Sequence, residues 1–254
     1  MYCDWSFELS SSYSPSLETL KLLIGSNEDF DLVVYQDDFG HNYQFRSKHL
    51  NLIETPNAVY HSALQLIQLL NGVMFLIHEE PQRPLSLGNL YQDAKSRVSY
   101  DTGTPNNIFN VQSYIESSSV EYNDDVPDLL QLAKKDQNIR DLLYISGEEI
   151  TFHKLYMIYE TLKSIAGSTT EFESMIGTEL KKKTKEFTFV ANNFETIGTQ
   201  ARHRNYKMEA PENPMKIEEA TQLIKTISHL VLKHYHKINL PFVRKKSWRP
   251  EDLF

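Results

Sequence analysis

At 254 residues, with 40% apolar and 24% charged side chains, the chain has an ordinary globular composition and room for one large domain or two small ones. Its single cysteine, Cys3, excludes an internal disulfide and fits a buried small apolar residue in a reducing compartment. The net charge of −8 divides unevenly, with 6 Lys+Arg against 17 Asp+Glu in residues 1–125 and 20 against 17 in residues 126–254. An acidic front half is a poor nucleic-acid surface, so any polyanion would meet the back half.

No apolar run has the roughly 18 residues of a membrane span. The opening residues lack a basic region followed by an apolar core. The expectation is a cytoplasmic protein with no membrane partner. There is no phosphate-cradling glycine loop, no paired-cysteine metal signature and no nucleophile elbow, so neither cofactor nor metal is expected.

In chain order, Cys3, Trp5, Phe7 and Leu9 alternate with polar residues, the period of a half-buried strand. FDLVVYQ at 30–36 and NYQFR at 42–46 predict two more strands, joined by a turn at DDFGH. Thr55 and Pro56 open a helix carrying Val59, Ala63, Leu66 and Leu70, which is expected to end at Gly72. GVMFLIH then reads as a short buried strand. Residues 80–107, rich in Pro, Ser, Asn, Asp and Gly, read as a long loop. Residues 111–122 read as one or two strands.

From Pro127 the period becomes helical. Leu129, Leu132, Ile139, Leu142 and Leu143 mark one or two short helices up to Ser146, with Ser146 and Glu149 spaced as a capping box. Phe152, Leu155, Tyr156, Tyr159 and Leu162 form a helical stripe that closes at Gly167. Thr170 and Glu173 are a second capping-box pair, for a helix through Phe172, Ile176 and Leu180. Lys181, Lys182, Lys183 and Lys185 are placed near its C-terminal end, where the ordinary reading of such a run is a solvated face.

The basic stretch Arg202, His203, Arg204, Asn205 falls in a loop before the last helix. That helix is expected to start at Asn213 and Pro214, with a stripe of Ile217, Ala220, Ile224, Ile227, Val231, Tyr235 and Ile238. His229, His234 and His236 are off-register for a shared metal. The tail interleaves Phe242, Arg244, Lys245, Lys246, Trp248 and Arg249, a pattern suited to docking on the protein itself, a partner subunit or nucleic acid.

The fold class is therefore α+β. A mixed α/β region at 1–125 is followed at 126–254 by an α-helical bundle with a basic and aromatic tail, the composition shifting at NDDVP. Three stretches of the bundle, TFHKLYMIYETLKSI at 151–165, FVANNFETIGTQARH at 189–203 and PENPMKIEEATQLI at 211–224, resemble uncharacterised bacterial proteins with a HEPN-like helical domain. The resemblance covers about the last 90 residues of the helical half, through the LYxxYE helix, the Asn and ARH segment and the final helix after a proline-containing loop. It implies a bundle that forms a homodimer. It also implies metal-independent ribonuclease activity of the kind found in toxin–antitoxin and antiviral defence systems, with RNA or a protein of the same system as partner.

In that family an arginine precedes a histidine by four to six residues. The imidazole moves the proton of a ribose 2′-hydroxyl or leaving oxygen, and the guanidinium holds the phosphate. Here Arg202 and His203 are adjacent. On a helix neighbours project about 100° apart, so the two serve one phosphate only from a loop. Carried onto this chain, the resemblance makes His203 the general acid or base, Arg202 the phosphate clamp and Asn193 or Asn205 the orienter, with Arg204, Lys207, Lys183 and Lys185 for RNA binding. The competing expectation is a non-catalytic dimeric sensor or scaffold subunit acting through protein contacts.

Overall fold

The computed structural model describes residues 4–10, 14–24, 30–37, 40–79, 84–93, 96–100, 125–202 and 209–241. The chain divides into two compact units, Met1–Gly72 with Arg83–Glu148, and Val73–Gln82 with Glu149–Phe254. Residues 126–148, grouped by their helical period with the back half, thus pack in the first unit. The expected strands at 111–122 and the basic and aromatic tail from Phe242 lie outside the described residues.

The first unit is built on an antiparallel sheet of β1 (Trp5–Ser10), β2 (Asp31–Asp37), β3 (Gly40–Arg46), β4 (Ser86–Gln92) and β5 (Ser96–Val98), in the order β2-β3-β1-β4-β5. The register puts Leu32 opposite Phe45, Phe45 opposite Phe7, Phe7 opposite Leu90 and Leu90 opposite Val98. The first four of these are buried, so one apolar row crosses the sheet. This is what period-two alternation produces when paired strands share a core face.

Helix α1 (Ser14–Ile24) buries Leu17, Leu20 and Ile24; its short stripe in a serine-rich stretch gave no clear sequence signal. Helix α2 runs from Pro56 to Ile77, with the ring of Tyr60 6.2 Å from that of Phe7. Two short helices, α3 (Asp125–Lys135) and α4 (Gln137–Ser146), complete this unit. The buried Arg140 guanidinium ties them together by donating to the terminal carbonyls of α3, from Nε to Ala133 at 2.9 Å and from Nη2 to Lys134 at 3.0 Å.

GVMFLIH is not a strand but the continuation of α2, whose Val73, Met74, Leu76 and Ile77 are all buried. A continuous apolar run has no period to separate strand from enclosed helix. Gly72 does not end the helix, which runs on through it to Ile77. Its role is steric: a Cβ there would strike the backbone carbonyl of Leu143, and one at Gly147 the carbonyl of Gln68. Glycine at both positions lets α2 and α4 approach backbone to backbone.

Within the span expected to be a long loop, β4 and β5 form two strands of the sheet. Leu90 is the only fully buried side chain of β4, so the alternation was too weak to read. Leu85, just before β4, is clamped by Asn71 of α2, whose Oδ1 accepts from Leu85 N at 2.7 Å and whose Nδ2 donates to Leu85 O at 3.2 Å. By length and composition α2 alone among the described residues could cross a membrane, and 67% of its apolar window is buried inside the fold.

The second unit packs α5 (Phe152–Ile165), α6 (Thr169–Ala191), α7 (Phe194–Ile197) and α8 (Ile217–His236) with the last turn of α2. Their starts differ from expectation. Ser146 ends α4, and the cap of α5 is Thr151, which accepts from Lys154 N at 3.2 Å. The N-cap of α6 is Ser168, not Thr170: its Oγ accepts from Glu171 N at 3.1 Å and donates to Glu171 Oε2 at 2.9 Å. Asn213 and Pro214 are exposed and precede α8, where Lys216 N donates to Glu219 Oε2 at 3.1 Å. Several S/T/N residues compete at each boundary, and spacing alone does not choose among them.

Helix α6 breaks at Gly177 (φ 76°, ψ 175°). It continues past the lysine run to Ala191, so those lysines lie mid-helix and not at a C-terminal dipole end.

Gly72→Ala and Gly147→Ala are each expected to lower stability by about 1–3 kcal/mol, the range for forced overpacking. Leu52→Ala, at a side chain 81% exposed, is expected to leave the urea midpoint unchanged. Equal midpoints for all three variants would contradict the close crossing.

Candidate functional site

Arg202 is the first residue of the basic stretch and the only one within the described residues; His203, Arg204, Asn205 and Lys207 lie outside them. Its backbone N–H donates to Ala191 O at 3.0 Å, which fixes it beside the end of α6. The exposed side chain reaches α5. The guanidinium carbon stands 4.5 Å from the ring centroid of Tyr156, and Nη1 donates to Tyr156 Oη at 2.8 Å. No carboxylate among the described residues pairs with it.

Tyr156 is itself set in an aromatic cluster. It stacks on Phe187 of α6 at 6.4 Å and meets Tyr159 edge-on at 6.0 Å, while Tyr159 also contacts Phe172 and Phe187. The helical period of α5 puts Tyr156 and Tyr159 one turn apart. Phe172 and Phe187 come from the two segments of α6, so the platform under Arg202 is made of buried, close-packed rings.

Asn193 is fully buried. Its Oδ1 accepts from Thr196 N at 3.0 Å, capping α7, and its Nδ2 donates to Glu209 O at 2.8 Å. Arg202 and Glu209, the described residues on either side of 203–208, are therefore both bonded to the stretch 191–193. The hydrogen bonds of Asn193 are those of a brace, and they bear on that segment through the backbone.

The lysines of α6 are partly neutralised by glutamates on their own helix. Lys181 pairs with Glu173 at 2.5 Å, which holds that carboxyl below its usual range, and Lys183 pairs with Glu179 at 3.8 Å. The second pair is open to water, where such bridges contribute little. Lys185 is exposed on the same helix.

A second cluster escaped the sequence reading. At the end of α2 the last carbonyls have no intrahelical donors, and one face of α8 supplies them. Gln222 Nε2 donates to Glu79 O at 2.5 Å, Lys225 Nζ to His78 O at 2.7 Å, and His229 Nε2 to Leu76 O at 2.7 Å. A carbonyl only accepts, so the His229 proton sits on Nε2. Lys225 has no exposed surface, and its ammonium also lies 4.8 Å from the Phe75 centroid. The polar row Thr221, Lys225, Ser228 along an otherwise apolar face was the available signal.

Burial lowers the Lys225 pKa to about 8, against a smaller opposing effect of Glu79. Burial also lowers the pKa of His78 and His229; the Lys225 charge adds to both shifts, and the Leu76 bond opposes that of His229. All three are shifted toward the neutral form, Lys225 only as far as about 8, as fits donors enclosed in a core to close a helix end.

Compared with known proteins, the chain matches no family model, no curated protein and no solved structure.

Two measurements test these assignments. Asn193→Ala removes a cap and a buried donor, and is expected to lower stability by about 2–4 kcal/mol in urea titration. An unchanged midpoint would remove the bracing role. The second concerns pH. His78 and His229 bind protons less readily folded than unfolded, so their contribution is complete above the ordinary 6.5 and is lost as pH falls through their lowered values. Lys225 acts likewise between about 8 and its ordinary 10.5. From 10.0 upward the raised hydroxyls of Tyr100, Tyr144 and Tyr159 reverse the slope, because only the unfolded chain releases those protons easily. The melting temperature should rise with pH up to 6.5 and again from about 8 to 10. Lys225→Met should remove the second rise, and a flat profile in the parent protein would refute the assignment.

Proposed function

We propose that this chain is a HEPN-like effector of a bacterial defence or toxin–antitoxin system that cleaves RNA without a metal ion, through Arg202 and His203. The observation that supports this reading is the state of Arg202: exposed, held in place by Tyr156, and paired with no carboxylate among the described residues. A guanidinium fixed in this way is ready for a phosphodiester. His203 follows it directly. In this reading its imidazole takes the proton of a ribose 2′-hydroxyl as the oxygen attacks phosphorus, or returns one to the 5′ oxygen as that bond breaks. Arg202 balances the charge that grows on the phosphoryl oxygens.

Asn193 acts from inside the fold, through Thr196 and Glu209, and Asn205 remains the candidate orienter on the segment itself. Arg204, Lys207, Lys183 and Lys185 would add charge along an RNA strand. The charge of the units agrees with this: Val73–Gln82 with Glu149–Phe254 carries 17 Lys+Arg against 15 Asp+Glu, and the other unit 9 against 19.

The acidity of the first unit favours a second reading, in which the protein is a non-catalytic dimeric sensor or scaffold acting through protein contacts. One experiment separates the two. With RNA substrates in the presence of EDTA, His203→Ala is expected to reduce the cleavage rate by about 10²–10⁴-fold with an unchanged melting temperature. No cleavage of any RNA by the parent protein, together with an oligomer in light scattering, would favour the scaffold.

A further inference from the structure

We propose that Tyr156 is the positioning residue of the anion site, setting the plane of the Arg202 guanidinium so that one edge faces outward to take two oxygens of a single-stranded RNA phosphodiester. The inference rests on the reading of Arg202 as the phosphate clamp and adds to it a residue from another helix, 46 positions away in sequence.

Arg202 approaches Tyr156 in two ways at once. The guanidinium carbon lies over the ring, 4.5 Å from its centroid, and Nη1 donates to Oη at 2.8 Å. An arginine carries five N–H donors in a planar fork. The tyrosine takes one of them, on Nη1. The edge made by Nε and Nη2, which matches two oxygens of a phosphate, meets no acceptor among the described residues.

An exposed arginine on a flexible stem would lose rotamer freedom on binding. Here most of that freedom is already spent. The backbone is bonded to Ala191, the side chain is held by ring and hydroxyl, and the ring is held by Phe187 and Tyr159. If Tyr156 served only the core, its hydroxyl would face water and the arginine would stand free or pair with one of the glutamates of the unit.

The test is the affinity of the full chain for a fluorescein-labelled single-stranded RNA, followed by anisotropy across a salt series, with melting temperatures recorded in parallel. Tyr156→Leu removes ring and hydroxyl; Tyr156→Phe keeps the ring. Tyr156→Leu is expected to weaken binding by about two- to fivefold, the scale of an exposed cation–π contact. It should also flatten the dependence of log K on log salt by part of the about 0.7 that one phosphate contact on a single strand contributes, since the Arg202 charge remains but is no longer held in place. Tyr156→Phe should recover part of both. Tyr156→Leu in an Arg202→Ala background should add nothing, since the residue acts through that arginine. An unchanged salt slope in Tyr156→Leu, or an additive double variant, would overturn the positioning role while leaving RNA binding in place. A parent protein that binds no RNA even at low salt would overturn the functional reading and this inference together.

Discussion

A helix that ends inside a core leaves carbonyls that must find donors, and in the second unit that requirement decides which face of α8 can pack where. Leu76, His78 and Glu79 present their oxygens at the end of α2, and Gln222, Lys225 and His229 meet them from successive turns of α8. An unmade hydrogen bond at the buried His78 oxygen would cost about 1–3 kcal/mol, less at Leu76 and little at the exposed Glu79. Lys225 and His229 therefore set the register of α8 more sharply than its leucines and isoleucines, which would tolerate small slides. Lys225 carries the largest share of the strain, since an ammonium without exposed surface gives up its water for two carbonyls and the face of Phe75.

With α8 set in this way, α5 and α6 enclose the aromatic cluster, and the short chain around 191–202 lies over its edge. Packing and polarity divide the work there. Phe172, Phe187 and Tyr159 are interior. Tyr156 is half-buried, and its hydroxyl is the last polar atom before solvent; Arg202 lies beyond it. Asn193 belongs to the interior side of this boundary. The residue most suggestive in the sequence, because asparagine accompanies arginine in the resemblance, is the one with no contact to solvent. If it serves chemistry, it does so by fixing where the neighbouring backbone runs.

What was legible in the sequence follows from how each element is stabilised. The strands β1 and β3 and the helices α5 and α8 each have one apolar and one polar face, and periodicity located them; β2 was marked by its valine-rich apolar run and the turn that follows it. Helix α2 is apolar on nearly every side over its last two turns, so its period vanished and a strand was inferred. In β4 a single leucine carries the burial, and the strand was lost among turn residues. Gly72 read as a stop because that is glycine's commonest role at helix ends, whereas here it makes room, with Gly147, for a crossing that no local pattern reveals. At the candidate site Arg202 could be singled out from its neighbours in the chain. Its partner could not, because Tyr156 is also an ordinary member of a helical stripe, and only tertiary contact distinguishes it from Tyr159. Lys225 was hidden for the opposite reason: a lysine on a helix is assumed to face water.

The discontinuity at Gly177 bears on how the aromatic platform can respond to load. At φ 76° and ψ 175° the chain there takes a non-helical conformation that only glycine adopts readily, and the ladder of amide-to-carbonyl bonds is interrupted between the segment bearing Phe172 and the one bearing Phe187. Among the described residues, no atom beyond the helix's own adjoining backbone lies within 4 Å of where a side-chain carbon on Gly177 would project, so that side of the joint is open. Two helical segments meeting at such a joint have no continuous backbone ladder to fix their angle, so what couples the rings they carry is Tyr159, which touches both. Amides on the two sides would then exchange with solvent as separate cooperative blocks, and the floor beneath Tyr156 would behave as two tiles laid edge to edge.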